Sequence, residues 1–260
     1  MFNMELDRAN FVNTTSIITV DSNSATVKNL IDRNNDTKYT SNGYNSTTAT
    51  TILVTFNTST VISRIALAGH NLKDFSIFYD GTTTNTFTLT GYSTSTIQYT
   101  TNSETSQYWS VSTQTVSSIS IKANEAMTAS LEKSLGEYYI GDSYHRFTQN
   151  PSFDEYDPQI VETNFIHQMS DGGTVRYFLA EKFRATIKVP FVSSAARSEL
   201  RTAYKSRASL QFFPFPTESE WDGSMYEVNW VNGFNFDKLT SNIIGNGFTG
   251  IIELQETAGR

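Results

Sequence analysis

The sequence contains no cysteine, so disulfides and thiolate metal sites are excluded. Histidine is scarce: His70, His145 and His167 are far apart, and none belongs to a two-histidine metal motif at helical spacing. There is no Gly-x-Ser-x-Gly elbow and no Gly-rich loop with a lysine to cradle phosphate, so catalysis is not expected. Positive charge is in deficit. The 19 Lys and Arg against 26 Asp and Glu leave a formal charge of -7, which argues against a nucleic-acid partner. No apolar run approaches the length that crosses a bilayer, so no membrane span is expected. Met1–Asp7 lacks the basic and apolar segments of a secretion signal. The expectation is a soluble chain made in a cytoplasm.

What is present favours strands. Phe occurs 18 times and Tyr 13 times among abundant Ser and Thr. The N-terminal half is organised around Val61–Gly81. Ile65–Ala68 is a continuous apolar run too short for a helix, the pattern of a strand buried on both faces. Gly69-His70-Asn71 breaks it, and polar side chains at such a turn hydrogen-bond backbone rather than do chemistry. Phe75, Ile77 and Tyr79 then alternate with Ser76, Phe78 and Asp80 up to the Asp80-Gly81 turn. Ile17–Val20, Ile52–Phe56, Phe87–Leu89, Ile97–Tyr99, Tyr108–Val111 and Ile119–Ile121 are further short strands between Ser/Thr/Asn-rich turns. Regular short strands with almost no helical period indicate a sandwich or jelly roll.

Pro151, Pro158 and a shift in composition mark residues 143–158 as a linker between a domain over 1–142 and another over 159–260. In the second domain Gly172-Gly173 is a hairpin turn, and Val175–Val192 has the length of a strand, a bend and a strand. Ser193 or Ser194 can cap a helix on which Ala196, Leu200, Ala203 and Tyr204 share one face, with Arg197, Arg201 and Lys205 on another. Leu210–Phe215, Met225–Val231 and Phe248–Leu254 read as strands.

Several of these residues fall in a familiar order. Asn29-Leu30-Ile31-Asp32, then Asp36-Thr37 with Tyr39 in the usual place of Trp, then Ile52–Phe56, Ile62–Leu67 and Gly136-Glu137 resemble the discoidin-like, galactose-binding jelly roll (the F5/8 type C family). The family's paired terminal cysteines are missing. Ala68-Gly69-His70-Asn71-Leu72 looks like a variant common in tailed-phage structural proteins. The second half is similar to the small β-plus-helix domains of phage tail and baseplate proteins, which assemble into rings. The fold class expected is mainly β: an N-terminal discoidin-like jelly-roll β-sandwich plus a C-terminal phage-tail-like, β-sandwich-like domain with one flanking helix.

These resemblances imply a structural component of a phage virion (tail tip, hub or baseplate), made in the host cytoplasm. It would assemble as a homo-oligomer with other phage tail proteins. The alternative is a carbohydrate-binding protein whose N-terminal jelly roll meets a host-surface glycan. For that activity Tyr39, Tyr44 and Tyr92 are the candidate aromatic platforms, with Asn42 and Asn45 nearby; exposed tyrosines serve protein interfaces equally well. The same family often binds a structural calcium ion, Ca2+. Asp32, Asn34, Asp36 and Thr37 supply hard oxygens in one tight loop, with Glu137 closing the site from a late strand. An Asx-rich turn bonded to itself is the other reading, and Arg33 and Lys38 oppose a cation there. Arg197, Arg201 and Lys205 are a candidate interface that would meet Glu218, Glu220 and Asp222 of a neighbour. The carboxylates Asp154, Glu155 and Asp157 in the linker read as solvated or capping groups.

Overall fold

The computed structural model describes residues 4–12, 16–32, 37–42, 48–81, 83–90, 95–129, 131–147, 155–170, 172–216, 223–239 and 247–257. The strands of the first half are β1 (Glu5–Arg8), β2 (Ile17–Val20), β3 (Tyr39–Thr40), β4 (Thr50–Ala68), β5 (Leu72–Tyr79), β6 (Gln98–Tyr99), β7 (Gln107–Ala126), β8 (Ser134–Leu135) and β9 (Glu137–Gly141), with a 3-10 helix over Ser24–Leu30. The second half contains β10 (Ser143–Arg146), β11 (Tyr156–Gln168), β12 (Thr174–Ser193), helix α1 (Ser194–Ser206), β13 (Leu210–Phe213), β14 (Tyr226–Trp230), β15 (Phe236–Lys238) and β16 (Gly247–Glu256). The protein is mainly β.

The sandwich rests on two long strands that pair along their length. Between Thr55 and Thr60 of β4 the ladder with β7 slips, since Thr55 faces Ser118 while Thr60 faces Val116. The extra residues bend both strands. Before the bend β4 lies between β2 and β7, and beyond it between β9 and β7. Both halves contribute to one core: Ile52, Val54 and Phe56 from the first, Ile62, Ile65 and Leu67 from the second. β5 does not pair with β4 as their succession suggests, because β7 lies between them. Gly69, at φ 66, turns the chain between these strands. Ile65, Ala66, Leu67 and Ala68 are buried on both faces, as their pattern predicts. Ala66 faces away from the sandwich core and packs with Tyr139 and Phe213, where the second half covers that face.

The second half is one sheet in the order β10-β1-β13-β14-β16-β12-β11, with β15 on β16. Its core includes Phe183, Ala185, Ile187, Leu200, Phe212, Val228, Ile252 and Leu254. Val175–Val192 lies within one continuous strand of 20 residues, β12, interrupted by ladder slips at Leu179 and between Val189 and Val192. Ser193 caps α1, its hydroxyl accepting from the Ala196 amide at 3.1 Å. Leu200 and Ala203 are the buried residues of that helix.

The domain limits differ from those expected. β1 belongs to the second sheet, where it lies between β10 and β13, with Leu6 opposite both His145 and Phe212. Met4 and Leu6 are fully buried in the second core. Residues 143–146, expected as linker, form strand β10, and Tyr156–Pro158 already pair with β12. The chain therefore begins in one unit, builds the other, and returns. A polar opening such as Glu5-Leu6-Asp7 carries no period that would announce a central strand.

Candidate functional site

One end of the sandwich gathers the loops that follow β2 and β4 and precede β4, β7 and β8. Side chains fasten them together. Asn71 Nδ2 donates to the Glu132 carbonyl at 2.7 Å, and its Oδ1 accepts from the Ser134 amide at 2.8 Å. Asn102 Nδ2 donates to the Leu72 and Glu104 carbonyls, both at 2.8 Å, while its Oδ1 accepts from Gln107 Nε2 at 3.1 Å. Ser41 and Lys133 exchange two bonds, Ser41 N to Lys133 O at 2.9 Å and Lys133 N to Ser41 Oγ at 3.1 Å. Lys133 Nζ reaches the Thr48 carbonyl at 2.8 Å, and Asn23 Nδ2 the Thr40 carbonyl at 2.8 Å. Lys133, His70, Ser41 and Asn102 are buried beneath an exposed rim that includes Asp21, Asn42, Ser103 and Glu104.

His70 does the backbone work expected of it. Its Nδ1 accepts from the Leu72 amide at 3.2 Å, leaving Nε2 to carry the proton. Burial, reinforced by the Lys38 charge, lowers its pKa from 6.5 to about 4, so the ring is neutral at physiological pH. The roles of Asn102, Ser41 and Lys133 escape sequence reasoning, because a polar residue in a Ser/Thr-rich loop looks the same whether it fastens that loop or faces water.

The expected sugar platforms divide. Tyr39 is 1% exposed, packs in the sandwich core and donates its hydroxyl to the Ser22 carbonyl at 2.7 Å. A ring so placed offers no face to a sugar. Burial, with Asp21 nearby, raises its pKa. Tyr44, Tyr92 and Asn45 lie outside the described residues, while Asn42 is exposed on the rim.

Of the expected calcium ligands, Asn34 and Asp36 lie outside the described residues. Asp32 is exposed and accepts from the Thr37 hydroxyl. Glu137 is buried at the start of β9, opposite Ala68. Asp32 and Thr37 are hard oxygen donors in one loop, the chemistry a calcium ion takes, while Glu137 is held in the ladder between β9 and β4. Among the described residues no group of three or more His, Cys, Asp or Glu is placed to hold a metal.

The basic helix face also divides. Arg201 and Lys205 are exposed, but the Arg197 guanidinium lies 4.6 Å from the Phe248 ring centroid and 5.6 Å from that of Phe234. It is packed against its own domain and is not free for a neighbour's carboxylate. Glu218, Glu220 and Asp222 lie outside the described residues. Asp154 does too, whereas Asp157 is exposed on β11. No described helix is long and apolar enough to cross a membrane.

A second polar cluster joins the two halves. Glu5 and Asp7 of β1 are fully buried beside Arg64 of β4. Arg146 Nε stands 3.0 Å from Glu5 Oε1, and Arg64 3.8 Å from Oε2, as ion pairs without hydrogen-bond alignment. Burial raises both carboxyls well above the usual carboxylate range, and Arg64 opposes the rise in each. The cluster sits within a packed junction, so its place is structural.

No family model matches the sequence, and no curated protein matches it. Among solved structures, the chain is similar to chitosan-binding module 1 from a chitosanase/glucanase of Paenibacillus sp. IK-5, with TM-score 0.39 and 17% identity over 50% of this chain and 97% of that one. It is also similar to a CBM32 module produced by Clostridium perfringens, with TM-score 0.38 and 16% identity over 51% and 98% of the two chains. A third is the CBM32-1 and CBM32-2 pair of Clostridium perfringens ZmpB in complex with GalNAc, with TM-score 0.37 and 18% identity over 48% and 34%.

Proposed function

We propose that this chain is a non-enzymatic glycan-binding protein that uses the fastened loop end of its discoidin-like jelly roll. The observation that carries this reading is the set of side-chain bonds from Asn71, Asn102, Ser41 and Lys133. They hold loops far apart in sequence as one rigid polar rim. A rim held in advance loses less entropy when it takes a ligand, and short polar side chains such as Asn42 match sugar hydroxyls. Tyr44 and Tyr92 supply the stacking rings in this reading. The formal charge of -7 favours neutral or amino sugars over sulfated or sialylated ones. A calcium ion at Asp32, Thr37 and Glu137, with Asn34 and Asp36, would brace the loop that leads into the rim.

The test is to present the full chain to an array of neutral, amino, sialylated and sulfated oligosaccharides. Retention on neutral or amino sugars, lost on Asn42→Ala with Tyr44→Ala, supports the reading. Retention on none ends it.

A second reading, a structural component of a tailed-phage virion, is supported by the resemblance of Ala68–Leu72 and of the second half to such proteins. The structural observation in its favour is the exposed apolar ribbon of β11 and β12. Purified virions that lack the chain would end that reading.

A further inference from the structure

β11 and β12 pair from Tyr156 to Gln168, but β16 joins β12 only from Arg184 onward. Residues 160–168 and 174–183 therefore project as a two-stranded ribbon about 30 Å long at the usual strand rise. Its apolar residues face water. Of the 14 large hydrophobic residues exposed among those described, eight are on this ribbon or at its turn, including Phe165 at 56%, Ile166 at 65% and Phe178 at 56%. An isolated two-stranded ribbon is marginal in water, and one so apolar needs a cover.

The two faces of the ribbon differ. Val161, Phe165 and Tyr177 share one face; Phe165 pairs with Tyr177, their ring centroids 6.4 Å apart. Lys182, opposite Val161, is on this face, which carries no carboxylate from Val161 to His167 or from Val175 to Lys182. The other face carries Glu162, Arg176 and Glu181 among the exposed Ile160, Ile166 and Phe178, so its apolar side chains are interrupted by charge. The Phe165 face is continuous with the outer side of the sheet, since Phe183, Ala185 and Ile187 point into the core and Arg184 and Lys188 away from it.

Further along that outer side lies a cleft of about 500 Å³. Pro190 and Ile251 are its apolar lining; Glu253 there is paired with Arg184 at 3.1 Å, and Glu155 and Asp237 outnumber Lys188 among the remaining charges. Exposed Phe191 and Val231 extend the apolar surface of this region. The chain thus bears an apolar, weakly basic ribbon and an apolar, acidic cleft. One continuous strand carries both, with a ladder slip at Leu179: Tyr177 and Lys188 are separated by about 35 Å of β12, so a ribbon has no route into its own cleft.

We propose that the Phe165–Tyr177 face of the ribbon docks in the Pro190–Ile251 cleft of a second copy of this chain. Both surfaces are on one side of one sheet. A two-fold axis between them therefore seats each ribbon in the other copy's cleft, and the assembly closes as a dimer. Neither surface involves the jelly-roll rim, so this inference stands apart from glycan binding.

The absence of cysteine makes the test direct. The full chain is weighed by light scattering over a concentration series, then carried through Phe165→Asp with Tyr177→Asp. The expected result is a species of twice 29.1 kDa. Its dissociation constant should rise by about 100-fold in the double variant, as loss of central aromatic anchors requires, while the thermal melt of the second domain is retained. Tyr177→Cys with Ile251→Cys should then form disulfides between copies under mild oxidation, each joining position 177 of one copy to position 251 of the other. A monomer at every concentration would overturn the proposal. So would a dimer indifferent to the aspartates, cross-links that join only position 177 to position 177, or growth into larger species.

Discussion

Tyr108 donates a hydrogen bond to Asp7 across 3.0 Å, tying β7 of the sandwich to a strand 101 residues earlier that belongs to the other sheet. Around this contact Ser63 Oγ donates to Asp142 at 2.6 Å, and Tyr139 donates to the Arg8 carbonyl at 3.0 Å. The two halves are joined by an interlocked strand as well as by the polypeptide between them. That arrangement sets the first two predictions.

Leu6 is fully buried between β10 and β13. Leu6→Ala is expected to destabilise the chain by about 3 kcal/mol in denaturant unfolding, the usual scale for a leucine deleted from a core. A fragment of residues 143–260 lacks β1 and should fail to unfold cooperatively until a peptide of residues 1–10 is added. Cooperative unfolding of the fragment alone would contradict the interlocked topology.

Stability should fall as pH rises through neutrality. Glu5 and Asp7 are raised to about 8 and about 7 from 4.5 and 3.8, chiefly by burial. Between the unfolded and folded values the native chain holds more protons than the unfolded one. Their contribution is complete below the unfolded values and is lost as pH climbs through 7 and 8. His70 acts in the opposite sense. Its lowered pKa contributes stability above 6.5 that is lost as pH falls through about 4. Calorimetric melts of Glu5→Gln with Asp7→Asn should show a flatter fall in stability between about pH 4 and pH 8 than the parent. An unchanged slope would remove this pair as its cause.

Calcium should raise the melting temperature of the full chain, and a chelator should reverse the effect. Asp32→Ala should abolish the difference, leaving the melt near that of the chelated parent. Coincident melts with calcium and with chelator would leave the Asp32–Thr37 contact as a turn bonded to itself.

Much of the fold was legible in the residues. The apolar run Ile65–Ala68, the alternation of Ile52, Val54 and Phe56, and the serine ahead of Ala196 each specify a local structure that formed. Three features were not. β1 is hidden because Glu5 and Asp7 look like solvated charges, and it is the distant Arg64, Tyr108 and Arg146 that make their burial tolerable. Tyr39 could not be distinguished from an exposed tyrosine, since its partner Leu135 lies nearly 100 residues away. The ribbon has the apolar composition of a buried strand, and what leaves it exposed is where β16 stops. In each case the deciding information is a long-range pairing.

Sugar binding at the loop rim is read without intermediaries by titration calorimetry of the full chain with a sugar retained on the array. Saturable binding by the parent is expected. Asn42→Ala with Tyr44→Ala should lose at least about tenfold in affinity, since sugar hydroxyls and a stacking ring lose their partners together. Phe165→Asp with Tyr177→Asp should bind as the parent does, because the ribbon is not part of the rim. Equal affinity in the rim variant, or a loss confined to the ribbon variant, would contradict the assignment.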